Sequence, residues 1–295
     1  MTDIAFVGFG ELASSLAEGL APSGRHRLRA YIRGWPRASQ SYERRLVASG
    51  TAPWGSLAEA VAEADVVLAA APAMSSLDLA RQAAAHLKRG ALYAELATAS
   101  GMDKMAAAEA LQPRGVVYAD AAVLGTVASD GFRVPILVSG PGAAALRSLL
   151  EPEGFRITDL PGPVGQAALV KLLRSAYLKG RDALIVETLL AARRHGLQQV
   201  VAETLERPGD RLSFDEISTR VLCSVAVHAG RRAHELEQVG QALREVGIDP
   251  ALAQAASQTL QRIAGLGLSD VLGDDRPTDR EAVLAAIDEL DRNLS

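Results

Sequence analysis

The feature that most constrains this chain is its beginning. Residues 4–7, IAFV, form a short apolar run, Gly8-Phe9-Gly10 follows at once, and ELASSLAEGL continues from Glu11 with helical spacing. A short β-branched and aromatic run ended by glycine reads as a strand, and apolar residues three and four apart read as a helix. The order is therefore strand, glycine turn, helix, with G-x-G-x-x-A from Gly8 to Ala13. Such a turn leaves the first N–H groups of the helix without intrahelical partners, and they and the helix dipole favour a pyrophosphate. Gly8 permits the tight turn, Gly10 lets a phosphate approach the backbone, and Ala13 allows the helix to pack close to the strand. Gly8, Phe9, Gly10, Glu11, Leu12 and Ala13 are the expected cradle of a dinucleotide. The alternative is a tight turn with no ligand.

The same alternation continues. Apolar runs at 4–7, 28–32, 66–70, 92–95, 116–119 and 135–139 read as strands. Between and after them, 12–20, 35–48, 57–62, 76–87, 102–111 and 143–150 read as helices. Strands and helices alternating at this spacing imply βαβ units and a mostly parallel sheet, and runs such as DVVLAAAP suit strands covered on both faces. LPGPVGQ, from Leu160 to Gln166, ends the strand-rich half. Beyond it the text is helical: 165–195, 200–205, 214–228, 231–246, 250–266 and 279–290, with breaks at RPGDR (from Arg207) and GIDP (from Gly247). The expected architecture is an α/β dinucleotide-binding (Rossmann) domain over 1–164, followed by an all-α domain over 165–295.

The second strand bears on which dinucleotide. A site for NAD usually carries an acid at this strand's end, for the ribose hydroxyls. Here the strand ends AYIRGWPR, and no acid lies between Ala30 and Tyr42. Arg33 and Arg37 stand there instead, and a guanidinium matches a 2′-phosphate. NADP is the expected cofactor, with NAD possible. A net charge of -4 gives no support to a nucleic-acid partner. No apolar stretch approaches a membrane span, and one cysteine, Cys223, excludes an internal disulfide and points to a reducing, cytoplasmic setting. The five histidines show no metal-ligand spacing.

Motifs distributed along the chain resemble the β-hydroxyacid dehydrogenase superfamily, which includes 3-hydroxyisobutyrate and 6-phosphogluconate dehydrogenases. They are VGFGELASSLA at the glycine turn, DVVLAAAP at the fourth strand, AELATAS, DAAVLGT, and GQAALVKLLRSAYLKG. Within the superfamily the chain is most similar to the branch whose helical domain opens with a Lys…Lys-Gly helix, as Lys171…Lys179-Gly180 does. The resemblance implies an NAD(P)-dependent dehydrogenase or reductase acting on CH–OH groups, with a small-molecule substrate and a homodimeric assembly. It assigns Ala71 and Pro72 to the cofactor-side turn and Thr98 to cofactor and substrate. It places Ser100, Gly125, Thr126 and Ser175 on the substrate and Lys171 at the chemistry. Three departures stand out: the family's serine is Ala97, its glycine pair is Gly125-Thr126, and its asparagine is Ser175.

Lys171 also invites attention by itself. Of 31 lysines and arginines only four are lysines: Lys88, Lys104, Lys171 and Lys179. Arginine is the default cation, so a lysine inside an apolar stretch is unusual here. Ser175, Leu178 and Asp182 share the helix face of Lys171, and Arg174 is adjacent. Partial burial or a neighbouring cation lowers a lysine from its ordinary value of roughly 10.4 toward the range of proton transfer. The bland alternative is a lysine whose head snorkels from a long helix. Two further readings of the chain remain: a dinucleotide-binding sensor or scaffold without chemistry, and an imine reductase.

Overall fold

The computed structural model describes residues 1–37, 40–194, 196–205, 213–245, 249–273 and 275–293. They divide into two compact units, Met1–Lys171 and Leu172–Ser295.

In the first unit the strands are β1 (Thr2–Val7), β2 (His26–Tyr31), β3 (Ala52–Trp54), β4 (Val66–Ala69), β5 (Leu92–Glu95), β6 (Val117–Val123), β7 (Ile136–Ser139) and β8 (Ile157–Asp159). They form one sheet in the order β3-β2-β1-β4-β5-β6-β7-β8. Every pairing is parallel except β6 with β7. The doubling back of strand order at β1 is the doubly wound pattern, whose ligands sit outside the carboxyl ends of the strands. The helices are α1 (Glu11–Leu20), α2 (Gln40–Ser49), α3 (Leu57–Ala62), α4 (Ala73–Ala84), α5 (Gly101–Leu111), α6 (Val127–Asp130) and α7 (Ala143–Leu150).

Because side chains alternate along a strand, each strand feeds two cores. Ile4 and Phe6 join Leu16, Leu20 and Leu146 on one face of the sheet. Ala5 and Val7 join Val61, Leu79 and Leu111 on the other. This double burial explains why β4 reads VVLA without polar alternation.

The second unit is helical. The boundary falls inside α8 (Gln166–Arg194), which α9 (Gln198–Leu205), α10 (Phe214–Glu245), α11 (Ala251–Gly265), α12 (Leu268–Leu272) and α13 (Arg280–Asn293) follow. Its core includes Leu189, Leu222, Leu236, Leu260 and Ile287.

The fold class expected from the sequence is borne out, and the differences have physical reasons. The sequence reading passes over β3 and β8, because each has only three residues and β3 contains Pro53. Both lie at edges of the sheet, where proline and short pairing are tolerated. The helix expected over 35–48 begins at Gln40, because Ile32 to Arg37 form turns, with Gly34 at φ +80°. The two helices expected over 214–228 and 231–246 are one, α10. Gly230 does not break it: a Cβ there would lie 3.6 Å from Ala264, so the glycine sits where α11 packs close. The RPGDR break, and the Gly247–Ile248 part of GIDP, lie outside the described residues. No helix among the described residues is long and apolar enough to cross a membrane.

Candidate functional site

The glycine turn is built as its residue types require. Gly8 has φ +87°, a region that side-chain-bearing residues rarely adopt. A Cβ on Gly8 would stand 3.0 Å from Ala71 Cα and 3.1 Å from Ala70 O. The turn at the end of β1 is thus pressed against the turn at the end of β4, and only glycine fits between them. Gly10 is different. It is the N-cap of α1, and a Cβ there would meet nothing within 4 Å. Its side is open space, which suits a phosphate approaching the backbone.

No side chain caps α1. Its first intrahelical bond runs from Ser14 N–H to Gly10 O at 3.0 Å, so the N–H groups of Glu11, Leu12 and Ala13 precede the ladder. Ala13 is wholly buried and lets α1 lie close on the sheet. The Phe9 side chain turns inward, edge-on to Phe6 at 5.7 Å between ring centres, so only its backbone faces the turn. These residues fit a dinucleotide: donors at a helix start, an open approach at Gly10 and no competing cap.

The other expected residues lie in both units. Arg33 and Arg37 are exposed just past β2. Ala71 and Pro72 form the turn into α4, with Pro72 as N-cap. Thr98 is half-buried after β5. Ser100 is the N-cap of α5, and its hydroxyl accepts from Asp103 N–H at 3.1 Å and donates to Asp103 Oδ2 at 2.8 Å. Gly125 and Thr126 are exposed after β6, with Thr126 Oγ1 hydrogen-bonded to Ser129 Oγ at 2.8 Å. Lys171 is half-buried at the end of the first unit, and Ser175 is buried in the second.

Other charged side chains are engaged with neighbours. Lys179 pairs with Glu235 at 2.6 Å, and Arg231 reaches the same carboxylate at 2.7 Å. Arg232 pairs with Asp182 at 2.8 Å and donates to Ser224 Oγ. Arg133 lies over the Phe132 ring at 5.5 Å. No group of three metal-ligating side chains occurs among the described residues.

Sequence reasoning missed a buried polar cluster on β5 and β6. Lys104 is completely buried and donates to Asp120 Oδ1 at 2.7 Å and to the Glu95 carbonyl at 3.0 Å. Tyr118 donates to Glu95 Oε2 at 2.7 Å and stacks on Tyr93, with ring centres 6.0 Å apart. Burial, reinforced by Glu95, pushes the pKa of both phenols up, so each keeps its proton. The signal was present in part. Lys104 is one of the rare lysines, and it lies within an apolar helix.

A glycine turn, an uncapped helix start and a doubly wound sheet define a dinucleotide-binding α/β protein. The family model described as the NAD binding domain of 6-phosphogluconate dehydrogenase matches residues 3–151, and the chain belongs to that family. A domain of unknown function, DUF1932, matches residues 192–263. The chain is 30% identical to conserved protein MTH1747, described as of unknown function and structurally similar to 3-hydroxyacid dehydrogenases. That match has a TM-score of 0.70 and covers 89% of this chain and 97% of the other. A conserved hypothetical protein of Sinorhizobium meliloti 1021 is 28% identical over 98% of this chain and 97% of its own, with a TM-score of 0.73. The 3-hydroxyisobutyrate dehydrogenase of Mycobacterium tuberculosis shares the fold at 21% identity, with a TM-score of 0.72 over 97% and 99% of the two chains. The resemblance read from the motifs is thereby borne out.

Proposed function

We propose that this protein is an NADP-dependent oxidoreductase that interconverts a hydroxy-acid-like alcohol and its carbonyl, with Lys171 as general acid and base. The observation that carries the reading is the turn from Gly8 to Ala13, closed against Ala71 on one side and open at Gly10 on the other. Membership of the nicotinamide-dinucleotide-binding family supports it.

The N–H groups of Glu11, Leu12 and Ala13 hold the pyrophosphate. Arg33 and Arg37 hold the 2′-phosphate, and Ala71, Pro72 and Thr98 line the cofactor. When bound, the nicotinamide accepts or supplies hydride. In oxidation, the neutral Lys171 amine takes the proton from the alcohol oxygen. In reduction, its ammonium form returns that proton and stabilises the negative charge developing on the oxygen. Thr98, Ser100, Gly125, Thr126 and Ser175 are the substrate-side residues.

The test is a titration with NADPH and with NADH, followed by tryptophan fluorescence. Both tryptophans report on this end of the sheet: Trp54 ends β3, and Trp35 lies just past β2. NADPH is expected to bind tighter. Arg33→Ala removes one charged contact, worth roughly 1.5–3 kcal/mol, so its NADPH affinity falls about ten- to a hundredfold while NADH is unaffected. Absence of binding by either nucleotide sinks the reading.

A second reading, a dinucleotide-binding sensor without turnover, is favoured by one observation. Ala97 stands where the superfamily has serine, and the neighbouring Ser100 hydroxyl is committed to its helix cap. Turnover of any carbonyl with NADPH removes it. We also assign a cytoplasmic homodimer: α8 leaves Leu169, Leu173, Tyr177 and Leu184 exposed along its length, an apolar stripe that needs cover. Light scattering at micromolar concentration is expected to give twice the 31.0 kDa chain mass, and a monomer counts against the assignment.

A further inference from the structure

Asp120 is fully buried within β6. Its Oδ1 accepts from Lys104 Nζ at 2.7 Å. Its Oδ2 accepts from the Ser139 hydroxyl at 3.1 Å, Gly165 N–H at 3.1 Å and Ala168 N–H at 3.0 Å. The Ser139 oxygen accepts in turn from Ala167 N–H at 3.0 Å. An ionised carboxylate has about four acceptor sites, and here four donors meet them. Three of the four donors meet Oδ2 and one meets Oδ1, so Asp120 cannot turn without breaking bonds.

What converges on it is informative. Lys104 brings α5 and, through the Glu95 carbonyl, the end of β5. Ser139 brings β7, and Gly165 and Ala168 bring the first turn of α8. Three of these stretches, β5, β6 and α8, lead within a few residues to one proposed for the reaction. Glu95 is three before Thr98, Asp120 is five before Gly125, and Ala168 is three before Lys171. Three helical residues span about 4.5 Å, so the anchor lies within one turn of the lysine along the helix. Bonds from N–H groups at a helix start to a carboxylate are charge-assisted and aligned with the helix dipole. These bonds therefore fix the helix start rather than merely contacting it.

We propose that Asp120 is a positioning residue for the reaction. One buried carboxylate, held by Lys104 and Ser139, sets the start of α8 and hence Lys171 in register with Thr98 and Gly125. This rests on the catalytic reading of Lys171 above.

The test uses the full-length chain carrying Asp120→Asn or Ser139→Ala, with three readouts. Amide hydrogen exchange over residues 165–171 is expected to accelerate at least tenfold while β1 keeps its protection. With a carbonyl substrate, kcat falls at least tenfold and KM for NADPH stays within twofold. The acetylation rate of Lys171, read by peptide mass spectrometry against half-buried Lys88 in the same sample, changes at least threefold. Accelerated exchange with unchanged kcat and an unchanged labelling ratio means a structural anchor only, and overturns the proposal. So does unchanged exchange. Wild-type protein that binds NADPH but reduces no carbonyl overturns the catalytic reading instead. The Lys171 labelling ratio then decides on positioning without turnover: a threefold change supports it and an unchanged ratio rejects it. Should Asp120→Asn fail to fold, Ser139→Ala, which keeps the ion pair, carries the same readouts.

Discussion

Replacing Lys104 with methionine lowers the unfolding free energy of this protein by roughly 3–5 kcal/mol. Methionine matches the lysine stem in size, so little cavity forms. What is lost is the charge. Asp120 is then left wholly buried, without the ammonium 2.7 Å away. Two carbonyl oxygens, those of Glu95 and Ala121, lose the same donor. At the usual scaling for a unit of this size, the melting temperature of the first unit falls by roughly 6–20 °C. Differential scanning calorimetry reads it directly. Removing both charges, in Lys104→Met with Asp120→Leu, does not restore stability, although buried ion pairs elsewhere can be exchanged for apolar residues at little cost. The reason is that Asp120 also accepts from two backbone N–H groups at the start of α8, which leucine cannot satisfy. A loss below about 1 kcal/mol in Lys104→Met would mean that the pair is not held as described.

The second large effect is kinetic. Lys171→Met is expected to lower kcat by about 10²- to 10⁴-fold, the usual contribution of a positioned proton donor or acceptor. NADPH affinity is expected to stay within twofold, because the contacts proposed for the pyrophosphate and 2′-phosphate lie on the glycine turn and beyond β2. Lys171→Arg does not rescue the rate. A guanidinium keeps its proton throughout the accessible pH range, so it stabilises charge and transfers nothing. Single-turnover kinetics with preloaded NADPH separates the two parameters. A variant that keeps wild-type kcat removes Lys171 from the chemistry and leaves it as a half-buried helix lysine.

Much of this could be read from local text, and the exceptions share a cause. Gly8 and Gly10 were legible because a glycine turn depends on neighbours in sequence. The helix read over 102–111 is α5, which begins one residue earlier, and the cap that Ser100 and Asp103 form there was not read from the sequence. β3 was hidden because Pro53 reads as a breaker, and only its place at the sheet edge makes it acceptable. Gly230 suggested a break in α10 because the sequence does not show that α11 will lie against it. The Lys104–Asp120 pair was hidden most deeply. Its partners are 16 residues apart on a helix and a strand, and Gly165 and Ala168 are 45 and 48 residues from Asp120. The rarity of lysine marked Lys104 as a position of interest, but what it touches is a property of the sheet.

The saturated carboxylate at Asp120 has a consequence for how this protein can change over time. A position whose side chain answers to one neighbour can drift when that neighbour drifts. Asp120 answers to four donors on three other stretches of chain, two of them main-chain N–H groups that only a proline substitution would remove. Any single replacement therefore meets at least two partners that have not changed, and its cost depends on them rather than on the new residue alone. Positions 104, 120 and 139 form one hereditary unit. Thr126, exposed after β6 and hydrogen-bonded to Ser129 within its own turn, answers to none of these partners and can change without disturbing that frame.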